Sequence, residues 1–311
     1  MAFGIGAGGF IGIAHEVTAG LYVPPTKFFP FRSESLKLTQ ETIWRRPLRA
    51  IADVLGSIGG NSRVEGDVIM EAMDDVAPYF HYCSRATVVK TGAGPYNYVF
   101  TPSASATAPL RTMSICVVRD GIVFAYVGCV VGNFKYTIDK GELIATYTII
   151  GMDEAVQTLP VAAFTGNAPY GAGQYNIQVP TTTQIFDVDT FDFDVSDNAV
   201  AEYRLQNVGR RAQFIRFGER AVKLTMPRDF QTRADFDAFK ALTASTVSLI
   251  ATKGAGNSFT FLLPNAQRSD WTVNLTGQGE LLRATNVWEG VYDTTASYSY
   301  LATIITSESI V

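Results

Sequence analysis

Histidine is nearly missing from this chain: among 311 residues there are two, His15 and His81. That scarcity removes most acid–base triads and imidazole metal sites. Cysteine is scarce too. Cys83, Cys116 and Cys129 are odd in number and form no C-x-x-C pair, which argues against a disulfide scaffold or a zinc knuckle and fits synthesis in a reducing compartment. Charged residues make up 17% against 47% apolar, so fewer solvated side chains are present than on a typical monomer, and partners are expected to cover part of the surface. The net charge of −4 gives no support for tight nucleic-acid binding, which needs clustered Lys and Arg. Long apolar runs are lacking as well: GIVFAYVGCVVG, at 121–132, is far short of the roughly 20 residues that cross a bilayer. No basic region followed by an apolar core opens the chain, so no secretion signal is read, and the acceptor pattern at Asn274 carries no weight without one.

What is present is β pattern. Residues 1–30 are rich in Gly and Pro with little periodicity and read as an extended arm. From Phe31 alternation sets in: SESLKLTQETI, then SRVEGDVIM with Val64, Val68 and Met70 on one face. Between them WRRPLRAIADVLGSIGGN, 44–61, reads as a connection too long for a simple hairpin, a length that usually marks a contact or a function. DDVAPYFHYC, 74–83, reads as a short helix capped by Asp74 or Asp75. Further strands follow, with a hairpin at Arg119-Asp120-Gly121 between MSICVV and IVFAYVGCVV. Residues 156–182, rich in Gly, Pro and Thr, read as a linker.

After the linker the pattern repeats. TFDFDVSDNAVAEYRL alternates as SLKLTQETIWRRPL does, ERAVKLTM echoes SRVEGDVIM, and a helix follows in each place. The second is TRADFDAFKAL, with Thr232 and Asp235 in capping-box positions and Phe236, Phe239 and Leu242 on one face. Both copies close on G-E-L and a strand, from Gly141 and from Gly279. The expected fold is mainly β with two short helices: two tandem β-sandwich or barrel domains, 31–155 and 183–311, each with one helix. Two repeats are too few for a solenoid.

Candidate chemistry is thin. Gly4, Gly6 and Gly9 satisfy G-x-G-x-x-G, but the cradle needs a strand before it and a crossover helix after it, and neither is read. HEVTA, from His15, starts like a zinc-protease motif yet has Ala19 where the second histidine must be. His81 beside Cys83 reads as helix packing, with Phe80 and Tyr82 interleaved. Asp187, Asp189, Asp192, Asp194 and Asp197 lack the glycine and terminal glutamate of a calcium loop; Asp192 and Asp194 instead fall on one strand face opposite Phe191 and Phe193. Basic clusters occupy matching places: Arg45, Arg46 and Arg49 in the first copy, Arg204, Arg210, Arg211 and Arg216 in the second. With Trp44 and Tyr203 as anchors they read as docking between subunits. No metal site, cofactor or catalytic group is expected.

One stretch is similar to a known family. GIAHEVTAGLYVPPTKFFPFRSESLKL resembles the start of tail tube proteins of long, non-contractile-tailed bacteriophages, through Glu16, Thr18, Gly20, Pro25, Thr26, Phe28, Pro30, Ser33, Glu34, Ser35 and Leu36. VEGDVIME and GELIATYTIIG resemble it also, and His15 departs from the family's usual small residue. The resemblance implies a structural, non-enzymatic virion protein made in the bacterial cytoplasm. Its rings stack into a tube, around a tape-measure protein and between tail-terminator and distal tail proteins, and double-stranded DNA later passes through the lumen without specific binding. Single-domain members form hexameric rings, so two domains per chain favour a trimeric pseudo-hexamer over six chains. Asp192 and Asp194 are then candidates for the lumen, where carboxylates repel phosphate. The competing readings are another virion β-sandwich, such as a host- or carbohydrate-binding protein or a head–tail connector component, and, last, a nucleotide-dependent enzyme.

Overall fold

Two turns with consecutive left-handed residues, Asp120–Gly121 (φ 50° and 79°) and Lys140–Gly141 (φ 50° and 81°), fold the middle of the chain into a three-stranded meander. Such turns need positive φ at both central positions, which Gly reaches without strain. The computed structural model describes residues 8–46, 53–104, 110–164, 168–171, 173–180, 183–188, 190–204, 210–254, 256–273 and 282–310.

The first half contains β1 (Phe10–His15), β2 (Lys27–Phe29), β3 (Ser33–Glu34), β4 (Lys37–Arg45), β5 (Gly56–Glu71) and helix α1 (Ala77–Tyr82). It continues with β6 (Ala86–Thr91), β7 (Tyr96–Pro102), β8 (Met113–Arg119), β9 (Ile122–Asp139), β10 (Glu142–Gly151) and β11 (Asp153–Ala155). The second half has β12 (Tyr175–Gln178), β13 (Gln184–Ile185), β14 (Phe191–Ser196), β15 (Val200–Glu202), β16 (Phe214–Arg216) and β17 (Ala221–Asp229). Helix α2 (Ala234–Lys240) follows, then β18 (Ser245–Thr252), β19 (Ser258–Val273), β20 (Arg283–Gly290) and β21 (Leu301–Thr306). The chain is mainly β, as its alternation predicts.

Antiparallel pairing runs β4–β5–β10–β9–β8 in the first half. It runs β14–β17–β20–β19–β18 in the second. The irregularities recur with the order. Between β9 and β10 the register skips Gly132, and between β19 and β20 it skips Ser269. Further shifts fall between Met113 and Ile115 on β8 and between Ser245 and Val247 on β18. Matching the pairings sets Tyr126 on Leu263, Cys129 on Ala266 and Val131 on Arg268, the same distance apart along the chain each time.

The halves join where β14 pairs along β9, from Phe191 opposite Ile138 to Ser196 opposite Asn133. One continuous sheet results, β4–β5–β10–β9–β14–β17–β20–β19. One face carries Val68, Tyr136, Tyr147, Phe193 and Leu224, all buried in a core that draws on both halves. Over it lie α1 and a second layer containing β18, the start of β19, β21 and β7: Phe80 stacks on Tyr147 at 4.1 Å, and Phe261 lies 4.6 Å from Tyr136.

Three readings of the sequence change here. Residues 10–29 are not a free arm. β1 pairs with β2 and β8, and Ile11, Ile13 and Phe29 are in the core; Gly12 and the glycines before FIGIAH hid that alternation. Glu16 fixes the following turn, accepting from Thr112 Oγ1, Ser114 Oγ and the Gly20 and Gly128 amides at 2.7–2.9 Å. Within 44–61, Trp44–Arg45 and Gly56–Asn61 are strand, because β4 and β5 stay paired out to Arg45 opposite Gly56; residues 47–52 lie outside the described residues. The end of the 156–182 stretch is strand β12, paired with β18.

The α1 cap is not the expected one, and at α2 only Thr232 acts as expected, its Oγ1 accepting from the Ala234 amide at 3.4 Å. α1 begins after Val76 with no side-chain cap. Asp74 and Asp75 are fully buried instead, 2.9 Å from Lys253 Nζ and 2.7 Å from Lys27 Nζ. Asp235 is drawn to Arg268 (2.7 Å) and Arg228 (3.4 Å) rather than to the α2 backbone. The opening Gly4 and Gly6, Arg49, Asp189 and the second G-E-L from Gly279 lie outside the described residues.

Candidate functional site

A sheet that ends in unpaired N–H and C=O groups is a template for another strand. Here both ends are open among the described residues. β4 pairs with β5 on one side, and along Lys37–Arg45 no strand lies on the other. Eight of its nine residues are exposed, including Leu38, Ile43 and Trp44. At the opposite end β19 pairs with β20 over Ala266–Val273, while β18 stops at Ala266. The last residues of β19, with half-buried Trp271, therefore present a second open edge.

A seam inside the chain joins two edges of the same kind. β14 occupies in the second half the place of β4 in the first: Val195 opposite Val222 matches Leu38 opposite Val64. The far side of β14 pairs with β9, Val195 opposite Phe134 and Asp194 opposite Lys135. Carried to the open edges, the same register sets Leu38 opposite Trp271 and Lys37 opposite Thr272. Sequence inspection missed Trp271, Thr272 and Val273; aligning the bulges at Gly132 and Ser269 is the signal that finds them.

The edge beside β4 is anchored from within. Arg119 donates from Nε and Nη2 to the two Glu34 carboxylate oxygens, at 2.7 and 2.8 Å, and Nη2 also donates to the Leu36 carbonyl at 2.6 Å. Ser35 Oγ accepts from the Asp67 amide at 2.9 Å. Gly66 permits this close pass: its φ is +151°, and a Cβ there would stand 2.5 Å from the Ser35 carbonyl oxygen. The S-E-S-L run thus fixes the strand's entry angle.

The predicted docking residues separate into two groups. Trp44 and Arg45 lie at the exposed end of the β4–β5 hairpin with Arg46 just beyond, near exposed Val54, Leu55 and Ile58. Arg210 and Arg211, both exposed, lie where the backbone meets β5: the Ser62 amide donates to the Arg210 carbonyl at 2.9 Å and the Ala212 amide to the Ser62 carbonyl at 3.1 Å. Tyr203 packs on a small second core that includes Met152, Ala212 and Ile215. Arg216 pairs with Glu202 at 2.8 Å, and Arg204 covers the Phe214 ring at 4.9 Å.

Asp192 and Asp194 lie on the sheet face away from the core. Asp192 accepts from Thr137 at 2.7 Å and pairs with Lys135 at 3.2 Å. Asp194 stands across from Lys135 on one side and Lys223 on the other. Partial burial raises its pKa, and the two ammonium groups work against that rise. The face is a ladder of lysines matched by carboxylates, extended by Asp67, which accepts from Thr148 at 2.7 Å.

His81 and Cys83 do not form a nucleophile–base pair. Burial lowers His81 to about 3 and pushes the Cys83 thiol up. The His81 ring meets Tyr136 Oη at 2.7 Å, and Tyr136 meets Tyr147 Oη at 2.5 Å. Among the described residues no group of three His, Cys, Asp or Glu side chains is arranged to hold a metal ion.

Residues 6–279 match the family model described as phage tail tube protein. No curated protein matches the sequence.

Proposed function

Because the chain belongs to the phage tail tube protein family, we propose that it is two tube-forming units in tandem, and that three copies close into a ring through their open sheet edges. As a family member it is a structural protein of the virion tail. The observation that carries the proposal is the β14–β9 seam: the chain already makes once, internally, the joint that β4 would make with β19 of the next copy. Each chain supplies a fixed step of rotation, and a head-to-tail contact of this kind must close into a ring or run on as a filament. Three chains of two units restore the six-fold geometry that the family resemblance implies.

In such a ring the core face of the sheet points outward under its second layer. The ladder of Lys135, Asp192, Asp194 and Lys223 then lines the lumen. Each lysine there has a carboxylate neighbour, which lowers its attraction for DNA phosphates in transit. The exposed end of the β4–β5 pair, with Trp44, Arg45 and Arg46, is left for contacts between stacked rings, and the lumen for the tape-measure protein during assembly. Tail-terminator and distal tail proteins would bound the stack.

Oxidative cross-linking of Lys37→Cys with Thr272→Cys tests the joint, since the native cysteines are all buried. The expected products are covalent dimers and closed trimers, with rings or tubes in electron micrographs. A chain that stays monomeric at high concentration and never cross-links overturns the proposal, and a covalent hexamer replaces three chains with six.

A further inference from the structure

The two halves of the chain are not equally covered. In the first half α1 is buried along Ala77–His81, whereas α2, its counterpart, has no buried residue. Around α2 stands an aromatic cluster: Phe236 lies 5.1 Å from Trp271 and 6.4 Å from Phe239, and Phe230 lies 6.0 Å from Trp271. Leu242, just past the helix, is 65% exposed. A surface of this kind on a chain with little charge marks a contact site.

The first half shows what belongs there. Its sheet and helix are capped by the β18–β19 hairpin of the second half. Phe261 of that hairpin meets Tyr136, Phe193 and His81 at 4.6, 5.0 and 6.1 Å. Phe259 meets Tyr136 at 5.8 Å. Lys253 from the same turn reaches Asp74, just before α1, at 2.9 Å. The register that matches β9 to β19 sets Phe124 on Phe261 and Ile122 on Phe259, and on the covered side it sets Val273 on Tyr136 and Trp271 on Phe134. Ile122, at the tip of the β8–β9 hairpin, is 63% exposed, and Phe124 is half-buried. Phe124 is partly held by its own chain, against the core and 4.6 Å beneath the Arg119 guanidinium, and Phe236 has the Arg233 guanidinium 5.2 Å over its ring. Among the described residues, however, no hairpin covers α2 as β18–β19 covers α1, and Ile122 projects from the hairpin tip where its counterpart Phe259 is fully buried.

We infer that the β8–β9 hairpin of one copy, through Ile122 and Phe124, caps the aromatic cluster around α2 of the adjacent copy. This contact rests on the ring proposed above and lies in a different layer from the strand joint. The β4–β19 joint closes the inner sheet, and the hairpin locks the outer layer over it. The partner is a second copy of this chain, because the cap and the surface it fits are the chain's own two halves with their registers matched.

Hydrogen exchange on the wild-type protein before and after ring formation tests the contact directly. Amides of α2 and of Ile122–Phe124 should exchange at least about tenfold more slowly in rings than in monomer, while exposed turns elsewhere stay unchanged. Ile122→Lys and Leu242→Glu alter side chains that are exposed in the monomer. Each should leave the melting of the monomer as it is, raise the concentration needed for assembly about tenfold, and recover in combination. Rings that form with no added protection on α2, and with both single variants as competent as wild type, overturn the inference. In that case the Lys37→Cys/Thr272→Cys cross-link still reports whether the strand joint exists; if that variant never cross-links and wild type forms no ring, both readings fall.

Discussion

The ring of Phe261, from the second half, stands 4.6 Å from the ring of Tyr136, from the first, inside one apolar cluster common to both. The repeat is therefore a repeat of topology, and its two units do not own separate cores. Phe261→Ala should cost about 3–5 kcal/mol. It should lower a single cooperative transition rather than split it, as followed by urea denaturation. A fragment ending at residue 155 should show no cooperative melting, because its inner sheet would lose the layer above it.

Lys253 and Asp74 join the halves at a second place. Asp74 is fully buried, so removing its cation leaves an uncompensated charge. Lys253→Met should destabilise the chain by about 3–5 kcal/mol. Adding Asp74→Asn to that variant should recover most of the loss, since a neutral amide tolerates the site better than a lone carboxylate. Chemical denaturation of the two variants measures both steps.

His81 gives the stability an acid limb. Burial holds its folded pKa at about 3, below the usual 6.5, so the fold favours the neutral ring. This contribution is complete above about pH 6.5 and is lost as the pH falls toward 3; the whole span amounts to on the order of 4 kcal/mol. His81→Phe should flatten that part of the profile. Tyr136 Oη keeps its bond to Tyr147 in the variant. Denaturant midpoints between pH 3 and 7, compared with wild type, give the slope.

Asp194→Lys would place three cations side by side with Lys135 and Lys223. Asp194 is exposed in the chain, so the fold should change by no more than about 0.5 kcal/mol. Tubes should still assemble. Phage carrying the variant should release DNA more slowly, and added salt should relieve the delay, because the new attraction is to phosphate.

The sequence announced strands wherever apolar and polar residues alternate beside polar turns, and the Asp120–Gly121 hairpin falls where its residues require. Burial on both faces hid other elements: β1 reads as glycine-rich filler until β8 and β2 lie on either side of it. The Asp74 and Asp75 side chains looked like helix caps because capping is local, whereas their partners Lys253 and Lys27 come from distant parts of the chain. Arg210 and Arg211 were visible as a basic cluster, but charge alone could not reveal that the backbone at Arg210 and Ala212 bonds to Ser62. The open edge at Trp271–Val273 has no composition signature, being defined by where β18 stops.

The proposed tandem arrangement would also change how a ring can form. With two units fused, every second joint would be a property of the folded monomer, present before any encounter between chains. The proposed ring of three would then need two diffusive associations before it closes, where six separate subunits would need five. Closing a joint through a tether replaces bulk concentration by an effective one, on the order of millimolar for a short flexible connection. The internal joint would also be released from matching the external one: Asp194 faces Lys135 at the internal seam, whereas in the proposed ring Lys37 would face Thr272.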